Sequence, residues 1–175
     1  ETFHQLVGTQ YANQASRALL EIYQREKEWK RAIDAALALQ MSGAGAYQKE
    51  IAQFHCEIAQ DELVHVHADA ALQTLDKALS YDRNNVRAMM LIGDALMAKG
   101  DAEAALQAWR RVEQQSVPHV ALVAQRLMDG YRAVGRAREG VHLLKTYLSE
   151  APSIDLLEVV FKAVLELDGT LSANQ

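Results

Sequence analysis

The chain has 175 residues, of which half are hydrophobic, 6% are aromatic and only two are proline, and its net charge is −5. This composition favours helices over sheets, and the scattered Lys and Arg residues exclude the concentrated basic patch that a nucleic-acid duplex requires. The single cysteine, Cys56, excludes an internal disulfide, and no stretch reaches the roughly 18 apolar residues of a membrane-spanning helix, so we expect a soluble fragment without direct membrane insertion.

The first residues predict a helix that is already under way. The chain begins at Glu1 rather than at a methionine, and Phe3, Leu6 and Val7 have the spacing of one apolar helix face. We therefore expect residues 1–12 to be the tail of a truncated repeat.

The middle of the chain nearly superimposes on itself at a shift of about 34 residues, the period of tetratricopeptide repeats. Small residues recur where two antiparallel helices would cross, and a larger residue recurs where the pair would meet the next helix. The pattern predicts an all-α superhelix of antiparallel helix pairs. The aligned positions are Ala59 and Gly93, Ala71 and Ala105, Leu75 and Trp109, and Ala78 and Val112.

Carrying this register along the chain predicts a single array. The Gly-rich segment 41–45 ends the first repeat's second helix, and Pro152 ends the fourth repeat's second helix. The predicted bounds are 13–51 for repeat 1, 52–85 for repeat 2, 86–120 for repeat 3, 121–153 for repeat 4, 154–168 for the first helix of a further repeat and 169–175 for a flexible tail.

Four segments carry a resemblance to a known family. They are LEIYQ at 20–24, EWKRAID at 28–34, EIAQFHCEIA at 50–59 and LMAKG at 96–100. Through them, and in register over essentially the whole chain, the sequence resembles the lipopolysaccharide assembly protein B family of Gram-negative bacteria. The resemblance is strongest over residues 19–110.

The resemblance implies an inner-membrane protein that is tethered by an N-terminal helix, with its repeats on the cytoplasmic side and a separate C-terminal rubredoxin-like zinc domain. Neither the tether nor a four-cysteine zinc site is in this sequence, so we expect no cofactor in this fragment. The family regulates lipid A synthesis by bringing the deacetylase of the committed step to a membrane-anchored AAA protease. The resemblance thus implies an adaptor and transfers no catalytic residue.

The first helix of each repeat lines the concave surface of such an array, so the register predicts a partner-binding surface there. Mixed charge beside Met suits a peptide or a folded partner, and Arg often anchors interfaces. An ordinary solvated surface, with partners docking elsewhere, stays open as the alternative. The predicted partner-binding residues are Arg17, Glu21, Gln53, Gln60, Arg87, Met90, Asp94, Met97, Gln125, Arg126, Asp129 and Arg132, with Gln24, Cys56 and Leu122 on the same side.

Other kinds of site are not favoured by the sequence. Glu21 stands where a repeat that binds acidic tails would carry Asn. His55 and Cys56 lie far along the chain from His65 and His67, so we expect no metal site. No phosphate loop, catalytic carboxylate pair or nucleophile elbow is present, so we predict no enzyme activity.

Two alternatives to the adaptor function stay open. The repeats could be the substrate-recognition arm of a larger enzyme such as a glycosyltransferase, or a generic peptide-binding module. Self-association through the open ends of the array, near Phe3 and Phe161, is a further possibility.

Overall fold

The computed structural model describes residues 11–112 and 119–173, and within these residues every regular element is helical. The predicted repeat tail at the N-terminus lies almost entirely outside the described residues. The helices of the described part are α1 Ala12–Arg25, α2 Trp29–Met41, α3 Gln48–Val64, α4 Ala68–Tyr81, α5 Val86–Ala98, α6 Ala102–Arg110, α7 Val120–Ala133, α8 Ala137–Glu150 and α9 Ile154–Ala173.

The helices form the pairs α1/α2, α3/α4, α5/α6 and α7/α8, and α9 follows as a first helix. The all-α tetratricopeptide prediction is confirmed. Two helices extend beyond the predicted repeat bounds. Helix α3 begins at Gln48, before the predicted start of repeat 2, because Gln48, Lys49 and Glu50 favour helix once the preceding glycines have ended α2. Helix α9 runs to Ala173, so residues 169–173 are helical rather than a flexible tail.

The chain divides into two compact units, residues 1–91 and 92–175, with the division inside α5. In the first unit, the core lies between α1, α2 and α3, where Trp29 stacks on Phe54 with ring centroids 6.0 Å apart. Helix α4 packs on α3, and the small residues Ala59 and Ala71 are fully buried together with Leu75. The first unit therefore pairs α3 with α4 through alanine and leucine.

In the second unit, one large ring lies between two glycines. Trp109 of α6 is 2% exposed. A Cβ atom added to Gly93 of α5 would lie 2.1 Å from Trp109 Nε1, and one added to Gly130 of α7 would lie 3.1 Å from the same ring. Trp109 thus fills the space between α5, with which its own helix pairs, and α7 of the next repeat, as the repeat register predicts. Gly140 of α8 packs in the same close manner against Tyr131.

The turns inside the four helix pairs share one backbone geometry. Each contains a residue of positive φ: Lys27 (58°), Val66 (63°), Gly100 (84°) and Gly135 (73°). The next amide donates back to a carbonyl in the last turn of the first helix, which is the Schellman arrangement. These bonds run from Glu28 to Tyr23 (2.8 Å), His67 to Glu62 (2.8 Å), Asp101 to Leu96 (3.0 Å) and Arg136 to Tyr131 (2.8 Å).

Candidate partner-binding surface

In the first unit, the carboxylate of Glu57 on α3 is the centre of a polar network. Arg87 donates from Nη1 to Glu57 Oε1 at 2.5 Å and from Nη2 to Gln60 Oε1 at 2.5 Å. Gln53 donates from Nε2 to the same Glu57 oxygen at 3.2 Å. The structure therefore brings three predicted residues, Gln53, Gln60 and Arg87, onto one surface. We call these three residues and Glu57 the Glu57 network.

In the second unit, Arg126 of α7 and Asp94 of α5 form a two-point ion pair. Arg126 donates from Nε to Asp94 Oδ1 at 2.6 Å and from Nη2 to Asp94 Oδ2 at 2.9 Å. This parallel arrangement matches the planar guanidinium to the carboxylate. The hydrogen bond to Asp94 raises the pKa of Arg126, and the negative charge of Asp94 acts in the same direction against partial burial. Arg126 thus stays charged and fixed in orientation.

A second group in this unit is built around Arg132 of α7. Arg132 donates from Nη1 to Asp129 Oδ1 at 2.7 Å and from Nη2 to Glu166 Oε2 of α9 at 2.5 Å. Gln125 donates to the same Asp129 oxygen at 2.9 Å. The predicted residues Gln125, Asp129 and Arg132 therefore lie together, and the structure adds Glu166.

Three of these ion pairs join the first helices of consecutive repeats. They are Arg87 with Glu57, Arg126 with Asp94, and Arg132 with Glu166. The three arginines are among the residues predicted from the sequence to bind a partner, whereas Glu57 and Glu166 are not. The available signal was an opposite charge on the neighbouring first helix, about one repeat away. The three arginines consequently contribute to the contacts between neighbouring first helices.

The remaining predicted residues lie outside these networks. Arg17 is exposed and donates to the carbonyl of Ala44, in the segment between α2 and α3, at 2.9 Å. Glu21 is exposed on α1, and Met90 and Met97 are half-buried on α5. These four side chains are on first helices, α1 for Arg17 and Glu21 and α5 for Met90 and Met97.

The placement of Cys56 on the partner-binding side is wrong. Its side chain is fully buried, because Ala52, Cys56 and Ala59 form the inward stripe of α3 at helical spacing. The Cys56 thiol has Asn85 Oδ1 at 3.7 Å. Burial raises the pKa of the Cys56 thiol to about 11, so the thiol is protonated at neutral pH and is a poor nucleophile.

The structure places His55, Cys56, His65 and His67 in different surroundings. His65 and His67 lie in the exposed turn between α3 and α4, whereas the His55 ring stacks on Tyr81 at 5.8 Å. Burial, and then the charge of Lys77, lower the pKa of His55. Within residues 11–112 and 119–173, no three His, Cys, Asp or Glu side chains are placed to hold a metal ion. In the same residues no helix is both long and apolar enough to cross a membrane.

Comparison with known proteins identifies the repeat class and a set of relatives. A tetratricopeptide repeat model matches residues 67–127. Over 176 residues the chain is 31% identical to lipopolysaccharide assembly protein B of Escherichia coli, covering 99% of this chain and 45% of the relative. The protein of the same name from Haemophilus influenzae is 28% identical over 166 residues, covering 94% and 41%. The resemblance inferred from the four segments is confirmed, and the chain spans less than half the length of these relatives.

Solved structures show the same fold at low sequence identity. MamA has a TM-score of 0.54 at 13% identity, covering 88% of this chain and 97% of that chain. A tetratricopeptide protein of Thermus thermophilus has a TM-score of 0.52 at 15% identity, covering 93% and 87%. The nearly identical tetratricopeptide-like repeats of a Podosopora anserina putative kinesin light chain have a TM-score of 0.55 at 15% identity, covering 98% of this chain and 92% of that chain. These solved structures show the fold, and the similarity to lipopolysaccharide assembly protein B together with the tetratricopeptide match supports the prediction of a protein-interaction module.

Proposed function

We propose that the chain is the interaction region of an adaptor that regulates lipopolysaccharide synthesis by bringing the deacetylase of the committed lipid A step to a membrane-anchored AAA protease. The observation that carries the proposal is the similarity of 99% of the chain to lipopolysaccharide assembly protein B. The full-length protein would act on the cytoplasmic side of the inner membrane and would hold zinc in a separate rubredoxin-like domain.

The ion pairs of the first helices would prepare this surface for a partner. A guanidinium carries five N–H donors, and Arg126 uses two of them on Asp94. Because the pair holds the guanidinium in one orientation, less conformational entropy is lost when a partner accepts the remaining N–H groups. The paired arginines are therefore suited to binding a partner that offers polar acceptors.

The numbers of positive and negative side chains in these groups indicate which kind of partner can bind. In the Glu57 network, the charge of Arg87 is matched by Glu57. In the second unit, Arg126 and Arg132 face three carboxylates, those of Asp94, Asp129 and Glu166. Neither unit thus offers the excess of positive charge that would attract an acidic tail, and the charges of each unit favour a folded protein whose interface contains both signs of charge.

The proposal is tested by capture of purified deacetylase and purified protease on the immobilised full-length protein. We expect both to be retained together, and we expect Arg126→Ala and Arg132→Ala to weaken retention of at least one of them by roughly tenfold, the effect of a typical interface arginine. Arg31→Ala is the matched control, since Arg31 is an exposed second-helix arginine that is paired with Glu28.

Two results would contradict the proposal. If the unchanged full-length protein retained neither the deacetylase nor the protease, the proposed adaptor function would be contradicted. If Arg31→Ala weakened retention as much as Arg126→Ala and Arg132→Ala do, the proposed binding surface would be contradicted. The loss of retention would then come from the change in net charge and not from these two positions.

A further inference from the structure

Near the end of α3, the carboxylate of Glu62 stands where the other repeats carry an aromatic or aliphatic side chain. The hydrogen bond that closes the turn in each helix pair is accepted by the carbonyl of an equivalent residue. In chain order these residues are Tyr23, Glu62, Leu96 and Tyr131. Tyr23 and Tyr131 are 8% and 7% exposed, so their rings fill space between helices. Repeat 2 therefore has a carboxylate at a position that a buried ring occupies in repeats 1 and 4.

Within the described part of the first unit, two cavities meet at Glu62. One has a volume of about 700 Å³, and Trp29 of α2 and Ile58 and Glu62 of α3 are among the residues that line it. The other, of about 470 Å³, shares Ile58 and Glu62 with the first and extends to His55. His55, Ile58 and Glu62 follow one another at spacings of three and four residues, so they form one stripe of α3. These cavities are large enough to admit a side chain of another molecule.

The stripe contains two buried polar atoms that lack a hydrogen-bond partner. They are Glu62 Oε2 and His55 Nδ1, and neither has a partner within residues 11–112 and 119–173. A buried carboxylate oxygen without a donor is unfavourable, because it has lost hydration without gaining a hydrogen bond. Glu62 as a whole is only half-buried, so a donor can reach it from solvent. The stripe thus offers an acceptor that a ligand with N–H groups would satisfy.

Repeats 1 and 4 place a guanidinium of their own beside the equivalent position. Arg31 Cζ lies 5.8 Å from the ring centroid of the tyrosine in repeat 1, and Arg136 Cζ lies 5.7 Å from that of the tyrosine in repeat 4. Counted from the turn hydrogen bond, the corresponding residues of repeat 2 are Ala70 and His67. Repeat 2 therefore has an acceptor at Glu62 and no arginine at either of these two positions.

We propose that the cleft formed by Trp29, Ile58 and Glu62, which we call the Glu62 cleft, binds an arginine side chain presented by a protein partner. A guanidinium can donate two parallel N–H bonds to the Glu62 carboxylate and can lie against the Trp29 indole in a cation–π contact. Lys27 and Lys30 also line the larger cavity, but both are exposed. Water and salt screen their charges more than they screen a contact with a buried oxygen.

The Glu62 cleft is a different site from the Glu57 network. Glu57 and Glu62 are five residues apart on α3, so their side chains leave the helix in directions roughly 140° apart. The partner of the first-helix arginines would accept hydrogen bonds, whereas the partner of the Glu62 cleft donates them. The inference therefore goes beyond the proposed function, and it does not depend on capture of the deacetylase or the protease.

NMR titration of the ¹⁵N-labelled 175-residue chain tests the proposal. The probe is a capped alanine–arginine–alanine tripeptide, and the comparison peptides carry citrulline or aspartate in place of arginine. We expect the arginine peptide to shift the indole N–H signal of Trp29 saturably and to leave that of Trp109, in the second unit, unchanged. Glu62→Gln should raise the Kd at least roughly tenfold, because it removes the charge that the guanidinium meets. Asp76→Asn is the matched control, since it removes the same charge from an exposed position on α4.

A second variant guards against a change of fold in Glu62→Gln. Glu62→Tyr supplies the ring that repeats 1 and 4 carry, and it should abolish the Trp29 shift while the rest of the spectrum stays that of the folded chain. Three results would overturn the proposal. They are the absence of a saturable shift with the arginine peptide, equal binding of the citrulline peptide, and tighter binding of the aspartate peptide, which would assign the cleft to an acidic partner held by Lys27 and Lys30.

Discussion

The two compact units have different residues at the corresponding positions where a first helix packs against its second helix. In the first unit, an alanine on the first helix, Ala59, is combined with Leu75 on the second. In the second unit, the corresponding positions are Gly93 and Trp109, and a Cβ atom on Gly93 would lie within 2.1 Å of the indole. A larger residue on one helix is thus matched by a smaller one on the other. The repeat constrains the combined volume of the pair more tightly than either residue alone.

The turns differ between the units in a similar way. The second unit places Gly100 and Gly135 at the positive-φ position, whereas the first unit places Lys27 and Val66 there with the same hydrogen bonds. A β-branched residue is strained in this region, because its Cβ substituents crowd the backbone. The comparison shows that the Schellman hydrogen bonds and helix packing can impose the turn on an unfavourable residue, at a cost in stability.

The largest effect that we predict from this comparison is that of Gly93→Ala. The added methyl group would overlap the buried indole of Trp109, which has little room to move, so we expect a loss of about 1–3 kcal/mol in the free energy of unfolding. Urea denaturation of the 175-residue chain measures it. Converting the pair to that of the first unit, with Gly93→Ala and Trp109→Leu together, should lose less than the sum of the single substitutions. A neutral Gly93→Ala would show that the volumes of the two positions are not coupled.

The turns predict a smaller effect, with opposite signs in the two units. Val66→Gly removes the strain of a β-branched residue at positive φ, and we expect it to stabilise the chain by about 1 kcal/mol after the entropy of glycine in the unfolded state is subtracted. Gly100→Val introduces the same strain and should destabilise the chain by about 1–2 kcal/mol. Melting temperatures of the two variants provide the measurement. Shifts of the same sign in both would contradict the strain explanation.

Much of the fold can be predicted from the sequence, because the repeat period indicates which positions need small side chains for close helix packing. Gly93, Ala105 and Trp109 were placed correctly on that basis, and so were the helix ends near Met41 and before Pro152. The repeat period does not give the start of α3, since an insertion between repeats shifts the helix without disturbing the periodic positions on either side.

The candidate surface was predictable in part. The register indicates that Arg87, Arg126 and Arg132 are on first helices, but not which carboxylate each side chain reaches. That choice depends on the axial offset between neighbouring first helices and on side-chain rotamers, neither of which is encoded in the period. Cys56 was misplaced because the inward stripe of α3 and its exposed side differ by a single residue, from Cys56 to Glu57.

The most direct test of the account is an exchange of charges between Arg87 and Glu57, because it separates partner binding from helix packing. The measured quantity is the Kd of the full-length protein for the deacetylase, together with the melting temperature of each variant. Arg87→Glu alone should lower the melting temperature, since it opposes Glu57, and should weaken binding by roughly tenfold. Combining it with Glu57→Arg should restore the melting temperature but leave binding weak, because the partner meets inverted charges. Recovery of both quantities in the double variant, or unchanged binding in Arg87→Glu, would contradict the claim that this surface binds the partner.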